Sequence, residues 1–344
     1  MTEIKKYIDK VVNFENLTSD EAVRAFQIAM NGGGTPAQVA ALLVGLRMKG
    51  ESVDEITAAA QVIRAKADKI SAPENALDTC GTGGDNSGSY NISTTVAFVL
   101  AACGIPVAKH GNKAVSSNSG SADVLRQLGI NIEADKTLME RSLREINLCF
   151  LMAPKFHSAM RYVAPVRQDL GMRTMFNVLG PLANPAGAKY QLMGVYSKKL
   201  VDPIAHVLAN LGATSAWVVH GSDGMDEITN TGISYVAELK DGKVRNFELD
   251  PAEYGFEIFT SDDLCGGTEV ENAREMREVL LGRGPKAYRD IVILNSAAGL
   301  VVAGKANDFR QGIELATNVL DDGSANQILL QFVEITNSLN KQEA

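Results

Sequence analysis

From residue 77 onward, short apolar runs alternate with longer stretches of helical periodicity, and this alternation constrains the fold more than any other feature. The short runs cover residues 106–109, 148–152, 191–196 and 216–220. Thr94–Cys103, which stops before Gly104, and Asp123–Leu128, which stops before Gly129, are typical of helices. Short strands alternating with helical patterns predict βαβ units around a mostly parallel central sheet.

The first 70 residues carry helix-start signals instead. Thr18–Glu21, Thr35–Gln38 and Ser52–Glu55 each fit a capping box, and Pro36 occupies a first helical position where a missing N–H costs nothing. Because three short helices make no stable core alone, we expect a small N-terminal helical domain that packs on a large α/β domain.

The predicted domain boundaries follow from these two sequence patterns. Residues 1–70 form the helical domain, joined by about 166–186, and residues 71–165 and 187–344 form the α/β domain. Pro181 and Pro185 around Asn184 are typical of a rigid connector between the two. The C-terminal residues are expected to be largely helical, with one strand near 291–294.

Composition excludes several classes of protein. The 344 residues are 45% hydrophobic, which argues against a disordered or fibrous chain, and the formal charge of −8 argues against a nucleic-acid surface. The four cysteines form no CxxC pair, so neither a zinc site nor a disulfide framework is expected. The longest apolar run, residues 96–108, is broken by Gly104 and Pro106 and is too short to span a membrane. We therefore predict a soluble, cytoplasmic protein.

A glycine-rich segment at a predicted strand end is the strongest chemical signal. Asp78–Asp85 reads DTCGTGGD and is followed by Asn91–Thr94 at the start of a helix. Glycine amides and a helix N-terminus favour a phosphate, although the spacing matches neither the dinucleotide-binding fingerprint nor the P-loop. A tight turn followed by a capped helix remains the alternative.

A second loop strengthens the phosphate interpretation. It comprises Lys109–Ser117 and then Gly120–Asp123, again follows a strand and precedes a helix, and supplies a cation with Gly, Asn and Ser donors. Together with the glycine-rich loop, it indicates a ligand with two separate anionic groups. The adjacent carboxylates of Asp226 and Glu227, in His220–Glu227, are suited to Mg²⁺, although a solvated acidic loop is the commoner meaning of such a pair.

A fourth segment carries two arginines. Arg167 and Arg173 can clamp a carboxylate bidentately, or they can form ordinary structural ion pairs.

Six motifs run through these segments. They are GTGGD at 81–85, NIST at 91–94, KHGN at 109–112, SSxSGSAD at 116–123, RxxLGxRTxFNxLGPLxNP at 167–185 and HGxDGxDE at 220–227. Together these motifs resemble the anthranilate phosphoribosyltransferases over essentially the whole chain.

This resemblance implies a nucleoside phosphorylase/phosphoribosyltransferase-like fold and a reaction in tryptophan biosynthesis. The 5-phosphoribosyl group of phosphoribosyl pyrophosphate (PRPP) would pass to the amine of anthranilate and release pyrophosphate. It also implies Mg²⁺ and a homodimer formed through the helical domain. Asn86 departs from the family, in which Gly is frequent at that position, and Tyr90 stands where Phe is expected.

The resemblance assigns residues to each ligand. The predicted catalytic residues are Lys109 and Arg167, and the predicted metal ligands are Ser93, Asp226 and Glu227. The predicted anthranilate site comprises Gly81, Asn112 and Arg167, with His110, His157 and Pro181 along its path. The predicted PRPP site comprises Gly81, Gly84, Asp85, Ser89, Asn91, Ile92, Ser93, Thr94, Lys109, His110, Gly111, Asn112, Lys113, Ser116, Ser117 and Ser121.

Two alternatives stay open at the level of sequence. A pyrimidine nucleoside phosphorylase shares the architecture but needs neither Asp226 nor Glu227. A related fold that binds nucleic acid should have a basic groove, and the charge of −8 argues against one. Cys80 lies in the glycine-rich loop but is not expected to act as a nucleophile, because no step of the transfer requires one.

Overall fold

The computed structural model describes residues 3–113 and 119–338, and a seven-stranded sheet forms the centre of the larger domain. Its strands are β1 Leu77–Gly81, β2 Val107–Gly111, β3 Leu148–Met152, β4 Tyr190–Gly194, β5 Ser215–Gly221, β6 Ser234–Lys240 and β7 Lys243–Leu249. The order is β3-β2-β1-β4-β5-β6-β7, with β1 to β5 parallel and β6 and β7 antiparallel. The predicted α/β class with a mostly parallel sheet is confirmed.

Helices cover both faces of this sheet and form the N-terminal domain. They are α1 Ile4–Val12, α2 Ser19–Met30, α3 Pro36–Lys49, α4 Val53–Lys66, α5 Ile92–Ala102, α6 Ser121–Gln127, α7 Lys136–Ile146, α8 Ala153–Phe156, α9 Ala164–Leu170, α10 Phe176–Leu182, α11 Val201–Asn210, α12 Glu269–Leu280, α13 Lys286–Val302, α14 Phe309–Asp321 and α15 Ser324–Asn337. Short 3₁₀ helices lie at 158–162, 198–200, 251–254 and 261–264.

The predicted strand near 291–294 is wrong. These residues lie inside α13, which is buried along most of its length between α5 and α14. A short, fully apolar run has no solvent-facing side, so its periodicity cannot distinguish a buried helix from a buried strand. The β6–β7 hairpin was not predicted, although Asp241-Gly242, both at positive φ, is a typical hairpin turn.

The three predicted helix starts form as expected. Thr18, Thr35 and Ser52 each accept a hydrogen bond from the backbone N–H three residues later, and the third-position Glu or Gln returns the bond. The core of α1–α4 is continuous with residues 163–183 and with α11, which covers one face of the sheet. The second core lies on the opposite face, under α5 and α13.

The segment between the two domains is held by side chains. Asn184 Nδ2 donates to the Ala108 carbonyl at 2.8 Å, and Gln191 Nε2 donates to the Pro181 carbonyl at 2.7 Å. Arg64 of α4 donates through Nε to the Leu182 carbonyl at 2.6 Å. These bonds fix residues 181–184 against both the sheet and the helical domain, as a rigid connector requires. The exact boundaries given above stay a prediction.

One buried ion pair organises the helical domain. The Glu55 carboxylate, with no exposed surface, accepts hydrogen bonds from Leu17 N at 2.9 Å, Ser52 N at 2.8 Å and Lys49 Nζ at 2.9 Å. It thereby joins the start of α4 to the end of α3 and to the loop before α2.

We expect Glu55→Gln to lower the free energy of unfolding by about 3 kcal/mol, because it leaves a buried ammonium without its counter-charge. Urea unfolding monitored by circular dichroism measures the change. Glu145→Gln is the matched control, since that carboxylate pairs with Arg141 at 2.8 Å on an exposed helix face. The control should cause no resolvable change. Equal losses in the two variants would contradict the role of burial.

Candidate active site

A cleft opens at the carboxyl ends of β1, β2 and β3, beside the point where the strand order reverses between β1 and β4. Ligands of open α/β sheets bind at such switch points. The cavity has a volume of about 980 Å³, and every predicted site residue that the structure describes lines it. Ser116 and Ser117 lie outside the described residues. The described members are Gly81, Gly84, Asp85, Ser89, Asn91, Ile92, Ser93, Thr94, Lys109, His110, Gly111, Asn112, Lys113, Ser121, His157, Arg167, Pro181, Asp226 and Glu227.

The glycine-rich loop has the backbone conformation that its sequence predicts. Gly83 and Gly84 take φ values of 66° and 73°, which L side chains rarely adopt. Asn86 also has a positive φ, 60°, so the family's frequent Gly is replaced by one of the few residues that tolerate this region. Arg173 donates to the Gly84 carbonyl and lies over the Tyr196 ring, 4.6 Å from its centroid. Arg173 therefore holds the loop, and of the two predicted arginines only Arg167 lines the cleft.

Asp226 passes over the ends of two strands. Gly81 and Gly194 are paired in the β1–β4 register, and a side chain at either position would collide with Asp226. Asp226 Oδ2 accepts a hydrogen bond from Gly83 N at 2.6 Å. Both strands must end in glycine for the acidic loop to reach the glycine-rich loop. Gly194 belongs to no predicted motif, so sequence reasoning missed it.

Two adjacent carboxylates lie buried at the floor of the cleft. Glu227 Oε1 accepts from Ser93 N at 3.2 Å, and both Asp226 and Glu227 are 9% exposed. Burial, together with the nearby Asp85 charge, raises the pKa of Asp226 to about 7. Burial and the charge of Asp226 raise the pKa of Glu227. A pair of carboxylates destabilised in this way favours a cation between or beside them.

These oxygen ligands fit Mg²⁺ better than they fit a metal ion whose whole coordination shell is supplied by protein side chains. Among residues 3–113 and 119–338, no cluster of at least three His, Cys, Asp or Glu side chains is arranged to hold a metal ion. Magnesium commonly takes one or two carboxylates and completes its octahedron with water and substrate oxygens. Asp226, Glu227 and the Ser93 hydroxyl can supply the protein's share of such a site.

The acidic loop is anchored from behind by a buried amide. Asn295 of α13 accepts from Ile228 N at 2.9 Å and donates to the Ile228 carbonyl at 2.8 Å. Asp223 accepts from the hydroxyls of Thr229 and Thr231, each at 2.6 Å. These contacts fix the backbone on both sides of Asp226 and Glu227. Asn295 carried no local signal, because its partner lies 67 residues earlier in the chain.

Lys109 brings a buried cation to the same floor. Its Nζ donates to the Thr79 carbonyl at 2.6 Å and to Ser93 Oγ at 3.2 Å, and the residue is 3% exposed. Beneath it, the fully buried Asp78 carboxylate accepts from His110 N at 3.1 Å and so ties β1 to the KHGN segment. Burial raises the pKa of Asp78, and the Lys109 charge partly opposes this. Asp78 was not among the predicted site residues.

Polar side chains position the start of α5 beside the cleft. Asn91 Nδ2 donates to the Ser119 carbonyl at 3.2 Å, and Asn91 Oδ1 accepts from Asn272 Nδ2 at 3.2 Å. Tyr90, the second departure from the family pattern, stacks on Tyr288 with ring centroids 4.2 Å apart. The N–H groups in the first turn of a helix favour an anion at this position.

The opposite wall of the cleft is formed by α9 and α10. The Arg167 guanidinium lies over the Phe176 ring, 5.3 Å from its centroid, and burial lowers its pKa. Within the described residues no carboxylate comes within 4.0 Å of this guanidinium. A half-buried cation without a protein counter-charge is suited to a ligand carboxylate.

Cys80 is buried, and burial raises the pKa of its thiol, as expected of a cysteine that is not a nucleophile.

Comparison with known proteins identifies the family. Two family models match, "Glycosyl transferase family, helical bundle domain" over residues 5–67 and "Glycosyl transferase family, a/b domain" over residues 73–326. An anthranilate phosphoribosyltransferase of Azospirillum brasilense is 53% identical over 338 residues, which cover 98% of this chain and 94% of that protein. The chain belongs to the anthranilate phosphoribosyltransferase family. The predicted family and its reaction in tryptophan biosynthesis are confirmed.

Solved structures of the family agree with the fold. The anthranilate phosphoribosyltransferase of Thermus thermophilus is 40% identical, with a TM-score of 0.92 over 98% of this chain and 100% of that one. The Saccharomyces cerevisiae enzyme in complex with PRPP and Mg is 28% identical, with a TM-score of 0.87 over 98% of each chain. Another structure of the yeast enzyme, 27% identical with the same TM-score and coverage, is in complex with 4-fluoroanthranilate.

Proposed function

We propose that this member of the anthranilate phosphoribosyltransferase family carries out the transfer in the cleft beside the β1–β4 switch point. One observation carries the proposal. The glycine-rich loop, the buried carboxylate pair with Lys109, and the guanidinium of Arg167 all line a cavity of about 980 Å³. Among the described residues this guanidinium pairs with no carboxylate. These three features correspond to the pyrophosphate, the metal and the carboxylate of the acceptor.

PRPP would bind along the glycine-rich loop and the N-terminal ends of α5 and α6. The amides of Gly81, Gly84 and Asp85 and the first turn of α5 would receive the phosphate oxygens, together with Lys109. The remaining proposed contacts come from Ser89, Asn91, Ile92, Ser93, Thr94, His110, Gly111, Asn112, Lys113, Ser116, Ser117 and Ser121.

Mg²⁺ would be held by Ser93, Asp226 and Glu227, which fit the ion for the reasons given above. When bound, the ion neutralises negative charge on the pyrophosphate. The yeast relative in complex with PRPP and Mg supports this choice of metal. The carboxylates keep their positions through Gly83 N and Ser93 N, so little reorganisation is needed.

Anthranilate would bind against the α9–α10 wall. Arg167 would receive its carboxylate bidentately, with Asn112 and Gly81 completing the site and with His110, His157 and Pro181 beside it. The yeast relative in complex with 4-fluoroanthranilate supports an acceptor of this class.

The chain's own groups account for the chemistry. As the bond between C1 of the ribose and the pyrophosphate oxygen breaks, positive charge grows on the sugar and negative charge on the leaving group. Lys109 and the oriented amides stabilise that negative charge without reorganising, which is the usual basis of electrostatic catalysis. An aromatic amine is neutral at pH 7 and attacks through its lone pair, so Arg167 and Asn112 contribute mainly by orientation.

Pyrophosphate release tests the assignment of substrates. We expect purified protein with PRPP and Mg²⁺ to release pyrophosphate only when anthranilate is added, at a rate that saturates with anthranilate. Release that is independent of anthranilate, or phosphorolysis of uridine or thymidine with free phosphate, would favour the phosphorylase alternative instead.

The homodimer through the helical domain is also part of the proposal. Phe14 and Met48 are 64% and 68% exposed, and Val12, 51% exposed, lies where α1 packs on α3 near Gly45. Large apolar side chains grouped on a surface are typical of an interface.

No helix among the described residues is long and apolar enough to cross a membrane. We place the enzyme in the cytoplasm, consistent with four unpaired cysteines.

We expect Phe14→Asp combined with Met48→Asp to convert the dimer into a monomer at micromolar concentration, because both substitutions bury charge in the interface. Phe14 has a positive φ of 62°, which Asp tolerates, so the backbone should not be strained. Light scattering after gel filtration measures the mass. Val270→Asp, at a 59% exposed position on α12, is the control and should leave the mass unchanged. Identical masses for all three proteins would exclude this interface.

A further inference from the structure

Asn272, in the first turn of α12, is a buried amide whose two ends can be told apart by their partners. Its Oδ1 lies 2.8 Å from Gly267 N, and a backbone N–H can only donate. The oxygen therefore faces Gly267, and Nδ2 is the end that donates to Asn91 Oδ1 at 3.2 Å. The residue is only 2% exposed, so both bonds are made away from water.

The same reasoning fixes the amide of Asn91. Its Oδ1 accepts from Asn272, and its Nδ2 donates to the Ser119 carbonyl at 3.2 Å, an oxygen that can only accept. A backbone donor at one end and a backbone acceptor at the other leave a single orientation for the whole chain of bonds. Within the described residues, the bond to Ser119 uses one of the two hydrogens on Asn91 Nδ2. The second is available to a ligand in the cleft that Asn91 lines.

Asn91 immediately precedes α5, where an asparagine commonly caps the helix. Its side-chain oxygen would then accept from the N–H of the second or third helical residue. The Asn91 side chain makes no such bond, because its oxygen is engaged by Asn272. The amides in the first turn of α5, which are proposed to receive phosphate, are therefore not occupied by this side chain.

The segment before α12 is attached to the loop that leads into Asn91. Gly266 N donates to the Gly88 carbonyl at 2.8 Å. A Cβ on Gly266 would lie 2.8 Å from Asn272 Oδ1 and 3.0 Å from the Ser89 carbonyl oxygen, so a side chain there would force the two segments apart. These contacts hold Asn272 in place beside Asn91.

We propose that Asn272 is a positioning residue for PRPP, which holds the amide of Asn91 with an N–H group, and not its oxygen, toward the anionic ligand. This inference rests on the proposed function, which places PRPP beside Asn91. A side-chain oxygen turned into the cleft would repel phosphate oxygens, whereas an N–H donates to them. Asn272 itself is not among the residues that line the cleft, so its effect passes through Asn91.

A double-mutant cycle on Asn272 and Asn91 tests this route. The dissociation constant of PRPP in the presence of Mg²⁺ is measured by isothermal titration calorimetry, without anthranilate. The proteins are wild type, Asn272→Asp, Asn91→Ala and the double variant. Asn272→Asp keeps the shape of the side chain and the acceptor for Gly267 N. It replaces the N–H donor by a second acceptor, so the Asn91 amide is expected to turn around.

We expect Asn272→Asp and Asn91→Ala each to weaken PRPP binding about tenfold, because a hydrogen bond to a charged ligand is lost. When Asn91 is already Ala, Asn272→Asp should weaken binding by less than about twofold further, since no amide remains to be turned. This second comparison also measures the direct effect of the added charge. Asn272→Ala, which adds no charge, should show the same dependence on Asn91.

Glu271→Ala is the matched control at the same helix end. The Glu271 carboxylate accepts from Thr268 N at 2.8 Å and so caps α12, but it makes no contact with Asn91. Its loss should lower the melting temperature and leave the affinity for PRPP unchanged. In Asn272→Asp, by contrast, the affinity for PRPP should fall while the KM for anthranilate stays within about twofold of wild type.

Two outcomes would overturn the inference. If the effects of Asn272→Asp and Asn91→Ala multiply in the double variant, Asn272 acts through charge or general support and not through Asn91. If Asn272→Asp and Asn272→Ala bind PRPP as tightly as wild type, the orientation of Asn91 has no effect. Thermal unfolding identifies a variant that does not fold, and either substitution of Asn272 suffices for the cycle. Wild type that binds no PRPP would overturn the proposed function itself, whereas multiplied effects on measurable binding overturn this inference alone.

Discussion

Replacing Asp226 by Asn and Glu227 by Gln together is expected to lower kcat by about 10³-fold or more and to spare the fold. Both side chains keep their shape and their bonds from Gly83 N and Ser93 N, but the pair loses the negative charge that would hold Mg²⁺. Burial and mutual repulsion already disfavour the ionised pair, as the raised pKa values indicate. In metal-free buffer the variant should therefore be at least as stable as wild type.

Turnover as a function of Mg²⁺ concentration, together with thermal unfolding in the presence of a chelator, measures both effects. Asp241→Asn combined with Glu248→Gln is the matched control, because it removes the same charges from exposed positions near the β6–β7 edge. The control should keep wild-type turnover and magnesium dependence. Unchanged magnesium dependence in the Asp226/Glu227 variant would contradict the metal assignment.

Removal of the guanidinium in Arg167→Ala should raise the KM for anthranilate by about 100-fold, since a charge-assisted bidentate contact is worth about 1.5–3 kcal/mol. The KM for PRPP should change far less, because Arg167 lies on the α9–α10 wall and the loops proposed to bind phosphate follow β1 and β2. Arg167→Lys keeps the charge but loses the planar fork of the guanidinium, so its KM for anthranilate should lie between those of wild type and Arg167→Ala.

Steady-state kinetics with each substrate varied in turn gives both constants. Arg245→Ala serves as the control, because Arg245 is an exposed arginine paired with Glu238 on the edge hairpin. It should leave both KM values unchanged. Equal increases in the two KM values of Arg167→Ala would mean that Arg167 supports the cleft in general and does not bind the carboxylate.

The features predicted from sequence are those whose cause is local. The capping boxes at Thr18, Thr35 and Ser52 are complete within four residues, and the glycine-rich loop contains the backbone freedom that it requires. The alternation of short apolar runs with helical patterns predicted the parallel strands, because each apolar run is short and has definite ends. The resemblance to the family then placed the remaining site residues in one cleft, where the described ones lie together.

Apart from the β6–β7 hairpin, whose Asp241-Gly242 turn is a local signal, the features that sequence missed depend on contacts between distant segments. Gly194 is needed because Asp226 passes over it, and Asn295 matters because it holds Ile228. Asp78 acts through His110 N on the neighbouring strand. The strand expected near 291–294 failed for a related reason, since only the surrounding helices make α13 buried on all sides. No local pattern carries this information.

The cleft is proposed to join the phosphoribosyl group of PRPP to the amine of anthranilate with the help of Mg²⁺. Anthranilate fluorescence, followed on mixing the protein with PRPP, tests this central claim most directly. We predict a decay that requires both PRPP and Mg²⁺ and that is absent in the Asp226/Glu227 variant. Stable fluorescence with wild type, PRPP and Mg²⁺ all present would contradict the claim.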